Sequence, residues 1–494
     1  MKLLVTSRRF QMIQYSAIEL NIKSLTVEEL VNNLNQNSKL FFLDSANNES
    51  HDFEIPQEQY LQEKSKYSFL GVNPIREFCY SNDNEEAIKV LKRLDEFLDI
   101  KINKLNVFVE PVDEELKQQL KPQFFFYASY NFGEKLQNID NTSTDLIALP
   151  DVYCVLCADN FLINHHTSKI YYIYAGEEEL DLFQLQYRVN MLTAASGADH
   201  LFKEEELVDA GDFESNFNLD EYLSAIDKIK NYIYDGHIYQ VNLAQTFSFN
   251  FPGDYWDVYK KIRKSNPAPF CAFFKMGGMS ILSTTPERFL YKKDGKVYTE
   301  PIKGTRPRGV TAEEDQINCQ KLKTSEKERS ENIMIVDLLR NDLGRICNYG
   351  TVEVEKLLYV EKYASVFQLI SRVVGELKPE LKFGDILEET FPGGSITGCP
   401  KLRAMEIIAE MEPSRRSLFT GTLGRISVDG ETFDLSIVIR TILVSGQYAQ
   451  ISLGGGIVYD SSPVKEYQET IDKGAAIVKV FNLSREVEHD SSYR

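Results

Sequence analysis

The sequence predicts an α+β fold dominated by antiparallel strands, and three observations predict it. Strand-forming aromatics are abundant, with 30 Phe and 26 Tyr against one Trp in 494 residues. From 239 to 251 the odd positions read Tyr, Val, Leu, Gln, Phe, Phe, Phe, while Gln240, Asn242, Ala244, Thr246, Ser248 and Asn250 hold the even ones. That period of two is the mark of a strand with one face in a core and a polar face toward solvent or a site. Further strand-like segments at 270–275, 279–284 and 287–299 follow one another across Gly, Pro and Lys turns, the spacing of meanders and not of βαβ units.

The N-terminal part, residues 1–210, reads as mixed strand and helix with few chemical signatures. Leu40 to Ser45 and Lys66 to Gly71 are short apolar runs, 84–120 is charged and helical, and Phe124–Tyr130 and Leu146–Ile163 are strand-like. The acidic stretch 194–218 predicts a linker or surface loop, so the chain divides at about 210, with residues 211–494 as the chemical part. There, Tyr222, Ile226, Ile229 and Ile233 make the apolar face of a helix that Gly236 ends.

Composition narrows the function classes. A formal net charge of −19 argues against nucleic acid, which needs a basic face. The first residues form too short an apolar run for a signal peptide and no 18-residue apolar span occurs, which predicts a cytoplasmic protein without a membrane partner. Seven scattered cysteines read as reduced thiols, and the lone CxxC of Cys154 and Cys157 lacks the second pair of a zinc site.

Four features carry chemistry. Lys303 stands between the turn-formers Pro301 and Gly304, with Arg306 and Arg308 beyond; taken alone, a solvated hairpin lysine competes with a nucleophile. Glu287 follows Pro286 at the mouth of a strand. Ser325 with Glu328 predicts a capping box for a helix running through Leu343 to Gly344, on which Glu328 and Glu331 share a face. Ser462-Pro463 opens a last helix with Glu466, Glu469 and Lys473 on one face. Acidic first turns complement helix dipoles, yet the two pairs together offer enough oxygens for Mg²⁺. The glycine-rich segments Phe391–Lys401 and Gly454–Gly456 offer backbone N–H groups to an anion, without Walker or dinucleotide spacing. Arg440, a lone cation in an apolar strand, should meet an anion.

With these motifs in this order, residues 215–480 resemble the chorismate-utilising enzymes. The resemblance rests on Tyr239–Leu243, Thr285-Pro286-Glu287-Arg288, Pro301–Arg306, Glu331–Asp342, Gly398-Cys399-Pro400-Lys401, Ile439-Arg440-Thr441, Gly454–Val458 and Glu466–Thr470. It implies a large antiparallel β-sandwich flanked by helices, Glu287 as general acid, and Glu331 and Glu469 as principal Mg²⁺ ligands with Glu328 and Glu466 beside them. Gly304, Thr305, Arg440, Gly454, Gly455, Gly456 and Lys473 are then the residues around chorismate. Gln240 stands where the isochorismate and salicylate branch has a lysine base, which disfavours water addition. Pro-Ile-Lys-Gly-Thr resembles the aminodeoxychorismate synthase branch, in which the lysine adds to C2 as the C4 hydroxyl leaves and ammonia then enters at C4 and expels the lysine. Arg306, Arg308 or desolvation would lower the pKa of such a lysine. The rivals are anthranilate synthase component I and a non-catalytic tryptophan-binding subunit. Members commonly carry His at Gln368 and Tyr at Thr420. Asp44 and Ser45, with Tyr67-Ser68-Phe69, resemble the family's tryptophan pocket. No Gly-x-Cys-x-Gly elbow is present, which implies a separate glutamine amidotransferase subunit as ammonia source.

Overall fold

The computed structural model describes residues 6–7, 12–20, 26–45, 63–81, 85–102, 106–108, 113–194, 213–251, 253–363 and 365–481. Most of the predicted acidic linker lies outside them. Every described strand joins one hydrogen-bonded sheet of 22 strands. The ladders are antiparallel, apart from the parallel pair of Gln14–Glu19 with Asn106–Phe108.

Alternation along single strands explains how one sheet acquires two cores. On Lys39–Asp44, Phe41 enters one buried cluster while Leu40 and Phe42 enter another. The first cluster joins Phe41 to Phe125, Phe274, Leu290 and Leu435 from strands spaced along the sheet, so the sheet curls around it. The second lies beneath helices Val27–Leu34, Leu182–Thr193 and Tyr255–Ser265, through Leu30, Leu185, Trp256 and Ile262. Each such side chain contributes about 1.5–3 kcal/mol through burial. The two ends of the chain share this sheet: Lys39–Asp44 lies between Tyr67–Tyr80 and Phe270–Met276.

The predicted helix beginning at Leu219 is present as Leu219–Tyr234, capped by Asn218, with Gly236 at φ +79° beyond it. It and helix Lys401–Met411 pack through Tyr222, Ile226 and Ile408 against Val241 and Leu243 of strand Gln240–Asn250. That leaves the other face of this strand's first turn for a site.

Three local expectations are corrected. Residues 84–120 hold two helices, Ala87–Leu98 and Glu114–Gln119, with the short strand Asn106–Phe108 between them. The Ser325 side chain makes no cap bond, the Glu328 carboxylate accepts from Arg306 rather than from the Ser325 amide, and the helix Glu326–Ile346 runs through Gly344. Arg440 is not inside a strand: it occupies the break between Phe433–Ile437 and Thr441–Ser445, at φ +50°.

Candidate active site

Lys303 is aimed by a defect in the ladder. Strand Ile302–Pro307 pairs with Val366–Glu376, but between Ile302, opposite Ile370, and Thr305, opposite Gln368, it carries one extra residue. Such a bulge re-aims side chains, and here Lys303 joins the wall of a cavity of about 610 Å³. Gly304 completes the bulge at φ +86°, and a Cβ on it would fall 2.6 Å from Glu328 Cγ. Glycine lets the carboxylate-bearing helix pass this close.

The lysine Nζ donates to the Ser395 carbonyl at 2.8 Å. Burial pushes its pKa down, against the pull of Glu287 and Glu331 and with help from Lys473. The arginines are not the cause: Arg306 holds Glu328 at 2.6 Å and Arg308 holds Asp315 at 2.7 Å. Glu287 shares the cavity wall. Burial raises its pKa, outweighing Lys303, the Ser395 hydroxyl, the Ile302 amide and Arg440, which favour the carboxylate. Environment therefore moves this acid and this base toward each other, the pattern of a proton-transfer pair.

Across the cavity, Gln240 and Asn242 face Gly456 and Gly454 of strand Tyr448–Ile457. The glycines leave room for the opposing amides, since a Cβ would fall 2.2 Å from Gln240 Nε2 at Gly456 and 2.7 Å from Asn242 Oδ1 at Gly454. Arg440 also lines the cavity, where burial lowers its pKa. A left-handed arginine reaching into such a space is placed to meet an anion.

Glu328, Glu331 and Glu469 line the same cavity, with Thr305 and Lys473. Gly455 and Glu466 are not part of its lining; Glu466 accepts from Ser461 Oγ at 2.7 Å, and a Cβ on Gly455 would lie 3.5 Å from Glu466 Oε2. Among the described residues no three His, Cys, Asp or Glu side chains converge at metal-binding distance. Glu469 instead pairs with Lys473 at 2.8 Å. The donor chemistry nonetheless fits a hard divalent cation. Glu328 Oε2 is buried without a hydrogen-bond partner. Burial raises the pKa of Glu331 despite Lys303 and Lys327, with Glu469 and Glu328 adding like charge. Carboxylate oxygens grouped in this way suit Mg²⁺.

Sequence reasoning missed two contributors. Ser395 anchors Lys303 through its main chain, so no side-chain motif announced it. Arg416 is buried between Glu412, the Asn242 carbonyl at 2.7 Å and Thr420 Oγ1 at 3.2 Å, and holds the wall from behind. Asp44 and Ser45 belong elsewhere, on a separate cavity of about 70 Å³.

A model of the chorismate binding enzymes matches residues 56–479. The chain belongs to this family. Aminodeoxychorismate synthase component 1 of Bacillus subtilis is 34% identical over 85% of this chain and 90% of its own length. Anthranilate synthase component 1 of Lactococcus lactis is 32% identical over 86% and 93%. The crystal structure of anthranilate synthase component I from Streptococcus pneumoniae superposes with a TM-score of 0.72 at 29% identity, covering 86% of this chain and 94% of that one. The α+β architecture is thus that of the chorismate-utilising enzymes. The two departures from the family pattern, Gln368 and Thr420, both line the large cavity, and Thr420 holds a β-branched side chain at φ +60°. Among the described residues no helix is long and apolar enough to cross a membrane.

Proposed function

We propose that this chain is component I of an aminodeoxychorismate synthase, converting chorismate and ammonia to 4-amino-4-deoxychorismate for 4-aminobenzoate and folate formation. The observation that carries this reading is Lys303 itself, bulged into the cavity beside Glu287 with its ammonium disfavoured by burial. In its neutral form the Lys303 nitrogen adds to C2 of the substrate ring. Glu287, whose acid form burial favours, gives its proton to the C4 hydroxyl, which leaves as water. Ammonia then bonds to C4, the C2–nitrogen bond breaks, and Lys303 is restored. Arg440 and the backbone about Gly454 and Gly456 hold the carboxylates of the dianion. Mg²⁺ held by Glu331 and Glu469, with Glu328 and Glu466 beside them, would neutralise negative charge on the substrate. The ammonia comes from a glutamine amidotransferase partner, a reading supported by relatives named as a first component.

Anthranilate synthase component I is the second reading, favoured by relatives of that name with similar coverage. Product chromatography with chorismate, Mg²⁺ and ammonium salt separates the two. Aminodeoxychorismate without pyruvate is expected, whereas anthranilate with pyruvate would transfer the chain to the second branch. We read the small cavity at Asp44 and Ser45 as a structural seam and not a tryptophan site, because its polar groups are already bonded within the protein. Calorimetry with tryptophan should give no saturable heat.

A further inference from the structure

Lys64 lies outside the catalytic cavity, yet its side chain is only 2% exposed and is fastened to two carboxylates buried more deeply still. Its Nζ is 2.8 Å from Glu300 Oε2 and 3.0 and 3.1 Å from Glu361 Oε1 and Oε2. Each carboxylate leads to a catalytic wall. Glu300 ends strand Lys296–Glu300, and Pro301 alone separates it from the bulged strand that aims Lys303. Glu361 lies opposite Gln368, which in turn pairs with Thr305 on the far side of that bulge. Glu361 Oε2 also accepts the Tyr363 hydroxyl at 2.6 Å, which fixes the carboxylate on its strand. The backbone of Lys64 is equally fixed: its carbonyl accepts from Ser45 Oγ at 3.2 Å, and the Ser45 amide donates to Ser68 Oγ at 2.9 Å.

We propose that Lys64 is a positioning residue for the reaction, bridging Glu300 and Glu361 so that the Lys303 bulge and the cavity wall at Gln368 are held in one geometry. Lys64 is the cation of Glu361, but charge neutralisation alone does not account for its contact with Glu300. Glu300 also has Arg288 at 3.4 Å and Arg372 at 3.2 Å, so its charge is answered without Lys64. What Lys64 adds is the join between two carboxylates on different strands. Reacting groups displaced by about 1 Å lose on the order of 100-fold in rate, and an unbridged bulge leaves Lys303 free to move by that much.

The inference rests on Lys303 being the reacting amine, and the test keeps the two separable. Lys64→Met removes the bridge but leaves Glu361 buried without its cation, so Lys64→Met/Glu361→Gln is made beside it to remove that charge. Three quantities are measured: the melting temperature, kcat and KM for chorismate with ammonium, and the rate of Lys303 acetylation by acetic anhydride relative to exposed Lys327, mapped by peptide mass. The expected result is a fall in kcat of about 100-fold in both variants with a smaller rise in KM. The double variant should regain melting temperature without regaining kcat, and relative Lys303 acetylation should change in both. Wild-type kcat in Lys64→Met, or kcat recovering with melting temperature in the double variant, overturns the proposal. Normal turnover by Lys303→Ala would instead remove the reading beneath it; the acetylation ratio would still report on Lys64, and an unchanged ratio would overturn its positioning role.

Discussion

Two cavities of this protein, the one around Lys303 and the one around Asp44, are built from similar residue types and treat them in opposite ways. Around the 70 Å³ cavity the charged groups are bonded: Asp44 is paired with Arg263 and Arg288 with Asp434, while Arg425 donates to the neutral amides of Gln123 and Gln119 at 3.0 Å. Around the 610 Å³ cavity, Gln240 Oε1, Glu287 Oε1, Glu328 Oε2 and Gln368 Oε1 are buried and unpartnered. No protein group answers these four atoms, and the space they border is large enough to admit a small ligand whose donors would. The difference teaches that charge density does not distinguish a site from a seam here. Unanswered polarity does.

Apart from Lys64, which ties the wall of the small cavity to the Lys303 bulge, substitutions in the two places should therefore fail differently. Glu287→Gln keeps the shape of the large cavity and removes its acid, so kcat should fall by about 10²–10⁴ while calorimetry still detects chorismate; wild-type turnover would remove Glu287 from the mechanism. At the small cavity, Asp44→Asn breaks a buried ion pair with Arg263 and should cost about 3–5 kcal/mol of stability by denaturant unfolding. Its kcat, measured where it remains folded, should be close to wild type. A loss of rate without a loss of stability would erase the contrast.

The subtlest test is pH. The reactive state needs neutral Lys303 and protonated Glu287, which together hold one proton. At low pH the pair gains a second proton and the lysine becomes an ammonium; at high pH it loses its last and the acid is gone. With burial raising Glu287 and lowering Lys303, kcat/KM should form a bell whose two limbs belong to the pair jointly. A profile that stays flat across both limbs would separate the two groups.

How much of this was legible in the sequence depended on range. The period of two from Tyr239 onward marked both the strand and the polar face that Gln240 and Asn242 turn to the cavity, because alternation is local. Lys303 could be named as a candidate, but its bulge required knowing that Gln368 and Ile370 lie opposite, more than 60 positions on. Arg440 was expected to need an anion for the right reason and in the wrong setting, since nothing local showed that the strand breaks there. The Glu328 half of the Ser325 capping box failed because that carboxylate had a distant competitor in Arg306. Lys64 was invisible for the same reason: its partners lie at 300 and 361. Asp44 and Ser45 were placed together in one cavity wall, yet their saturation by Arg263, Ser68 and Tyr67 is a tertiary fact.

The central claim is that the large cavity exists to present Lys303 as a nucleophile. Its most direct measurement is the rate of 4-amino-4-deoxychorismate formation by Lys303→Ala, followed by chromatography with saturating chorismate, Mg²⁺ and ammonium and compared with wild type. Loss of that product with chorismate binding retained is the predicted result. Formation of 4-amino-4-deoxychorismate at the wild-type rate would contradict it.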